Sequence, residues 1–394
     1  MPEVPESSKV GEPESSVAST RLGGAEPRRM PSSSTETNAG EVAGSVALDQ
    51  WRGFALVMVL ISHGLYYTGK VSGIGRVGVN LFFFISGLLT YRSLVRSSAP
   101  DSFSRAKSFW KRRFLRLYPA LVGYLVLMIP TVYFFAPLVK GAPGSTFAEF
   151  MAHLPQAFGA FINFTGPPCH TGLNHLWSLS TEIQFYLIAP ILFALGGTSS
   201  ARRSWVWGGL LVIFLALGAA QPLVGDRVKY YFQFSVWPML LGFVAEWQRA
   251  RFVQFFSLFS RPILISSAAV FLLSLVLMQL GTKAKIGVVA LGAFMVVPCY
   301  CCYLVGLPCP GKLGSLLKWC GERTYSIYLW QQPLTLCGYF PTWLHPVGAL
   351  LSCAVGALGF HWLERPFLSR KRKPAAAGVA QPAEVCPPVA TSVR

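Results

Sequence analysis

From about residue 47 onward the chain is a succession of apolar runs broken by short polar stretches. Ten of these runs, near 53–69, 76–95, 118–138, 176–196, 204–223, 230–247, 262–280, 286–307, 324–341 and 343–363, approach the length a helix needs to cross a bilayer, about 20 residues. The pattern predicts an all-α, polytopic membrane bundle of about ten transmembrane helices, occupying residues 47–367. Residues 1–46 are rich in Ser, Glu, Pro and Gly, lack an apolar period, and read as a disordered cytoplasmic tail. Residues 368–394 read as a second cytoplasmic tail, basic and then low in complexity. The first apolar run lies too far in for an ordinary signal peptide, and no repeat of solenoid length is present.

Composition sharpens this picture. Of the 394 residues, 53% are hydrophobic and only 13% charged, about half the charge share of an average soluble protein. Such a chain cannot cover a water-facing surface, and its 29 Phe, 14 Tyr and 11 Trp argue against disorder over most of its length. The net charge of +18 is unevenly placed: residues 1–50 carry −4 and the remainder +22. The bases sit between apolar runs and form no stripe on a soluble domain, so nucleic acid is not the expected partner. They are read as topology signals. With both termini in the cytoplasm, 27 of the 34 bases fall on the cytoplasmic side, eight of them between Arg92 and Arg116. The seven outside are Lys70, Arg76, Lys140, Arg227, Lys229, Lys283 and Lys285. The positive-inside rule therefore favours an N-in, C-in arrangement. Reporter fusions are expected to place 92–116 and both tails in the cytoplasm and 139–175 outside; a cytoplasmic signal from 139–175 would overturn this topology. The segment 139–175 also holds Asn163-Phe-Thr165, a glycosylation sequon that matters only in a secretory pathway.

Six of the nine cysteines (Cys299, Cys301, Cys302, Cys309, Cys337, Cys353) lie in or beside apolar runs. Cys299 and Cys302 have C-x-x-C spacing, but two further ligands for zinc are not evident. Packing is the expected role, and no metal is called for.

Polar side chains inside a crossing cost about 2.5–3.5 kcal/mol when charged, so the few present carry information. The first crossing places ten residues between Arg52 and His63. Eleven helical steps span about 16 Å and close to three turns, which puts Arg52 near one interface and His63 near mid-membrane on the same face. A neutral imidazole at such a depth serves either as an interhelical hydrogen-bonder or as a general base. The second crossing holds Asn80 and Ser86 between Gly78 and Gly87, whose lack of side chain permits close helix approach. In the fourth, His175, Ser178, Glu182 and Tyr186 recur at helical spacing, with Trp177 beside them. Glu182 either pairs with a cation from another helix or takes part in chemistry. The run containing Arg112, Arg113 and Arg116 is a topology signal or a phosphate site, since the guanidinium fork donates two hydrogen bonds at once.

Taken in order, these stretches resemble the acyltransferase 3 family of integral membrane acyl transferases. The resemblance rests on Arg52 and His63 ten residues apart and on Gly78 to Gly87. It continues through Arg112, Arg113, Arg116 and Pro119, then Trp177 to Tyr186, Tyr325 to Trp330, and Glu364-Arg365-Pro366. Together they cover about residues 47–367. Asn80 stands where that family often has an acid, and Gln331 where a His commonly follows Tyr-Leu-Trp. The resemblance implies a multi-pass protein of the bacterial inner membrane, in contact with lipid. It would move an acyl group, acetyl above all, from acyl-CoA to a hydroxyl of a cell-surface glycan or lipid-linked saccharide. It implies His63, Arg52 and Glu182 as catalytic residues, and Arg112, Arg113 and Arg116 on the donor's phosphates. Asn80, Ser86, His175, Trp177, Ser178 and Tyr186 would meet substrate. Two alternatives stand beside it: an exporter or flippase of a glycan or small amphiphile, and a membrane acyl transferase of another class with His and Asn on separate helices.

Overall fold

Helices account for the chain wherever a regular element is seen, because only helices satisfy the backbone of a single apolar segment in lipid. The computed structural model describes residues 33–65, 73–138, 146–166, 171–224, 230–279, 285–337, 339 and 341–369. For 33–40, 222, 274–279, 285–293 and 369 it describes the backbone alone. Most of the expected tails, 1–32 and 370–394, lie outside the described residues, as do Lys70, Lys140, Arg227, Lys229 and Lys283.

The order of elements begins with α1 (Ser33–Gly64), α2 (Ile74–Val95) and α3 (Ser102–Phe135). Then come α4 (Thr146–Phe158), α5 (Ile162–Thr165) and α6 (Leu176–Gly196). A π-helical turn joins α7 (Ser200–Arg203) to α8 (Gly209–Ala220). The short α9 (Phe232–Ser235) and α10 (Trp237–Trp247) lead into α11 (Arg249–Gln279) and α12 (Lys285–Val305). The last elements are α13 (Gly311–Glu322), α14 (Thr324–Thr335), α15 (His345–Gly359) and α16 (Arg365–Ser369). No strand occurs among the described residues. Residues from Gly40 onward form one compact unit; those up to Ala39 form another, of which the described part is the opening of α1.

Three sequence expectations are corrected. Helix α1 starts at Ser33, inside the stretch read from composition as a tail. The bases from Arg105 to Arg116 ride on α3 and not on a loop, because Asp101 caps that helix ahead of them. Its carboxylate accepts from the Ser104 amide at 2.8 Å, and that bond holds the carboxyl below its ordinary range. The third concerns the crossings. Among the described residues, seven stretches are long and apolar enough to cross a membrane: Glu41–Gly64, Ile74–Val95, Ser102–Leu138, Leu176–Gly196, Ser200–Ala220, Arg249–Leu273 and Thr342–Leu368. The expected sixth crossing breaks into α9 and α10, and the 11 residues of α10 rise only about 16 Å. The expected ninth is shortened to the 12 residues of α14, which ends just past Pro333. The expected eighth is the 21-residue helix α12, in which the apolar stretch Phe294–Val305 is described with its side chains.

Outward faces match a lipid solvent. On α8 and α11 large apolar side chains stand out of the fold, among them Val212, Leu258 and Ile265. Lipid supplies no hydrophobic drive for helices to associate, so close packing must do so. Glycines provide it. On α2 a Cβ at Gly87 would lie 1.8 Å from the carbonyl oxygen of Met239 on α10, and one at Gly242 of α10 would lie 2.0 Å from that of Phe84. Helices α1 and α13 touch in the same way, through Gly53 against Leu317 and Gly321 against Asp49. Gln50 fastens the latter pair, donating to the carbonyls of Cys309 at 2.9 Å and Gly314 at 3.1 Å.

At the Arg92 end of α2 the charges are matched. Glu41 pairs with Arg92 at 3.2 Å and Arg96 at 2.8 Å. Arg92 donates to the Tyr303 hydroxyl at 2.9 Å, which donates to buried Glu246 at 2.9 Å. Arg249 lies 3.6 Å from Glu246. Asn163 is 1% exposed, and its amide donates to Gln184 at 3.1 Å, so the sequon asparagine is a packing residue here. Cys299 and Cys301 are buried beside Tyr300 and Tyr303 in the core, as their apolar setting implied.

Candidate active site

A partly open cavity lies among α1, α2, α3, α6, α13 and α14. Its charged lining is Arg52 from α1, Arg116 from α3, Glu182 from α6 and Glu322 from α13. Ser86, Ser178, Tyr186, Tyr325 and Tyr328 add hydroxyls, and Val79, Phe82, Phe83 and Leu179 supply apolar wall. Residues from five of the six resembling stretches thus converge on one space, although they are spread over nearly 280 positions of sequence.

Glu182 has a definite environment. Its Oε1 accepts from the Ser86 hydroxyl of α2 at 2.5 Å and from the Tyr186 hydroxyl, one turn along α6, also at 2.5 Å. Hydrogen bonds to a carboxylate are short and strong because the acceptor is charged. Neither partner is a cation, so Glu182 forms no direct pair with Arg or His; in particular it does not hold His63. Positive charge reaches it one step removed: the Arg113 guanidinium lies 4.5 Å over the Tyr186 ring and 5.2 Å over Phe109.

The three arginines of α3 part company. Only Arg116 lines the cavity. Arg112 is drawn to Ser108 at 2.5 Å and Ser93 at 3.4 Å, and Arg113 is stacked on the two rings. Arg52, by contrast, enters the cavity from α1 while its other side meets Asp49 at 3.3 Å.

His63 lies beyond the cavity, not in its lining. Its Nδ1 bonds the side-chain oxygen of Gln331. A carbonyl oxygen only accepts, so Nδ1 carries the proton, and Nε2 is left as the lone pair of a neutral imidazole. The next residue of α14 does the same for a second histidine. Gln332 Oε1 accepts from His175 Nδ1 at 2.5 Å and from the His175 backbone amide at 2.8 Å. Among the described residues, buried His175 Nε2 and Gln331 Nε2 meet no hydrogen-bond partner. Tyr328 connects this pair of imidazoles to the cavity. Its hydroxyl bonds Ser178 at 2.7 Å and donates to the His175 carbonyl at 3.1 Å. It precedes Gln331 by three residues on α14, a rise of about 4.5 Å.

Asn80 is buried in α2 and does not reach the cavity lining; Trp177 and His175 also stand outside it. Sequence reasoning missed Gln332, Glu246 and Glu364. Glu364 is 2% exposed and accepts from Ser326 at 2.9 Å. Glu246 and Glu364 sit at the ends of apolar runs, where a polar residue reads as an interface residue, and Gln332 lies within one, where an uncharged amide carries no signature of its partner.

Comparison with known sequences decides the family. The profile of the acyltransferase domain (Acyl_transf_3) matches residues 45–363. The chain belongs to the acyltransferase 3 family. Among its relatives is the O-acetyltransferase OatA of Staphylococcus aureus, 25% identical over 349 residues, which are 81% of this chain and 56% of that one. The putative peptidoglycan O-acetyltransferase YrhL of Bacillus subtilis is 26% identical over 81% of this chain and 54% of its own length. The peptidoglycan O-acetyltransferase OatA of Listeria monocytogenes is 27% identical over 73% of this chain and 49% of its own. This acyltransferase 3 chain therefore spans about half the length of the curated relatives it matches. No solved structure matches it. Family and helices together make it a multi-pass integral membrane protein.

Proposed function

We propose that this protein is a membrane O-acyltransferase that moves an acetyl group from an acyl-CoA thioester to a hydroxyl of a cell-envelope glycan. The names of its relatives favour peptidoglycan as that glycan. The observation that carries the reading is the cavity with Arg52 and Arg116 on its wall and Tyr328 one helical turn from the His63–Gln331 pair. Two guanidiniums facing one space suit a pyrophosphate-bearing donor, because each can fork onto phosphate oxygens. In this reading Arg52 faces the cytoplasm, where the donor enters, and His63 serves an acceptor arriving from the other side.

Gln331 fixes the ring of His63 with Nδ1 protonated, so Nε2 takes the proton of the attacking hydroxyl. The hydroxyl oxygen bonds to the thioester carbonyl carbon, the carbon–sulfur bond breaks, and the thiolate leaves. The imidazolium then returns the proton to sulfur. Gln331 orients the ring through a neutral acceptor. Tyr186 and Ser86 both donate to Glu182 and fix the position of its carboxyl group in the cavity wall.

The test is binding and turnover of isotopically labelled acetyl-CoA by the full chain in lipid nanodiscs with a glycan acceptor. Acetyl should appear as an alkali-labile ester on the glycan. Arg116→Ala is expected to weaken acetyl-CoA binding about tenfold or more, the worth of one charged hydrogen-bonding group. Arg112→Ala, remote from the cavity, should change it less than twofold. Equal losses for the two variants would take the donor out of this cavity.

A further inference from the structure

Arg76 was read from sequence as one of seven topology-setting bases, and its surroundings give it a sharper role. It lies in the first turn of α2, next to Gly75. A Cβ on Gly75 would come within 3.0 Å of the Ser62 side chain, so the start of α2 lies flat against the end of α1. Arg76 therefore sits at the level of His63. Its guanidinium carbon is 4.9 Å from the centre of the Trp177 ring and 5.5 Å from that of Tyr230, whose rings are 4.8 Å apart. Trp177 precedes Ser178, which bonds Tyr328 at the cavity wall.

What Arg76 lacks is equally informative. Among the described residues its side chain forms no ion pair and no hydrogen bond, whereas Arg52, Arg92, Arg96, Arg249 and Arg323 each have a carboxylate. Ring faces answer a cation's field but accept none of its N–H groups in plane. Stacking covers the flat faces of a guanidinium and leaves its edge, the part that forks onto a carboxylate or phosphate. Half-buried and held by two rings, Arg76 is a preorganised donor with no acceptor of its own.

We propose that Arg76 binds an anionic group, a carboxylate or a phosphate, carried by the acceptor, and so selects negatively charged glycans at the His63 end of the site. The acceptor role rests on the acyl-transfer reading above. The anion could belong to an acidic sugar or to the phosphate of a lipid-linked saccharide, and the two are separable by experiment.

The full chain in nanodiscs would be titrated with three probes: chitotetraose, the same oligosaccharide oxidised to a carboxylate at one C6, and the same phosphorylated at that C6. Binding is read by calorimetry, and transfer from acetyl-CoA is read separately. At least one charged probe should bind about tenfold or more tighter than the neutral one, as expected for a charge-assisted pair. A preference for the carboxylate points to an acidic sugar, and one for the phosphate to a lipid-linked carrier. Arg76→Gln should erase the gap while leaving neutral binding within about twofold. Arg76→Lys, which keeps the charge but not the fork, should retain part of it, and thermal unfolding of both variants guards against a folding defect. Equal affinity for all three probes in the unaltered protein, or an intact gap in Arg76→Gln, would overturn the proposal. A binding gap without any transfer would instead sink the acyl-transfer reading and leave anion selection standing.

Discussion

Replacing His63 with Ala is expected to abolish most acetyl transfer while acetyl-CoA binding persists. The fall should be about 10²–10⁴-fold, the usual worth of a general base. Binding persists because Arg52 and Arg116 line the cavity and His63 does not. His63→Gln separates chemistry from architecture. A glutamine at this position can still hydrogen-bond Gln331, so the α1–α14 contact survives, but it cannot accept a proton near neutral pH. Both variants should therefore be well folded and inactive. Near-normal transfer by His63→Gln would show that the imidazole is only a hydrogen-bonder. Gln331→Leu should fall between the unaltered protein and the His63 variants, since it leaves the imidazole in place but frees its orientation and tautomer. Initial rates across pH distinguish these cases: the Gln331→Leu profile should shift, and the His63 variants should have none.

The second large effect concerns assembly. Gly87→Val should prevent α2 and α10 from meeting, because even a Cβ there would sit 1.8 Å from the Met239 carbonyl oxygen. That oxygen is backbone and cannot rotate aside. Loss of folded protein, read by size-exclusion chromatography in detergent, is the expected outcome. Gly87→Ala should still lower the unfolding midpoint, since overpacking typically costs about 1–3 kcal/mol. Gly209→Ala is the matched control: nothing lies within 4 Å of its would-be Cβ. If the two alanine variants melt alike, close backbone contact at Gly87 does not hold the bundle.

The class of fold was legible because a bilayer demands long apolar helices, and α2 and α6 were visible nearly to their ends, α3 only at its far end. Legibility failed where length and apolarity part company. The stretch 324–341 is apolar enough to cross, yet Pro333 and the break after Thr335 leave only the short α14. The start of α1 was hidden because Ser, Glu and Gly between 33 and 46 favour no helix, and composition alone could not register Glu41 pairing with Arg92 and Arg96. At the site, helical spacing placed Ser178, Glu182 and Tyr186 on one face, and they do meet one cavity. The partner of His63 was not readable, since Gln331 lies 268 positions away and a glutamine in an apolar run carries no signature of its neighbour. Arg76 shows the same blindness: a count of bases by side cannot see the rings beneath one of them.

The twelve residues of α14 place Tyr328 against the cavity, Gln331 on one imidazole and Gln332 on the other. A rigid helix gives these three side chains one shared degree of freedom. Rotation by a single residue, about 100°, would withdraw the hydroxyl from Ser178 and release both rings in the same movement. The setting of both imidazoles is thereby geared to the shape of the cavity, and neither can be adjusted alone by anything that turns this helix.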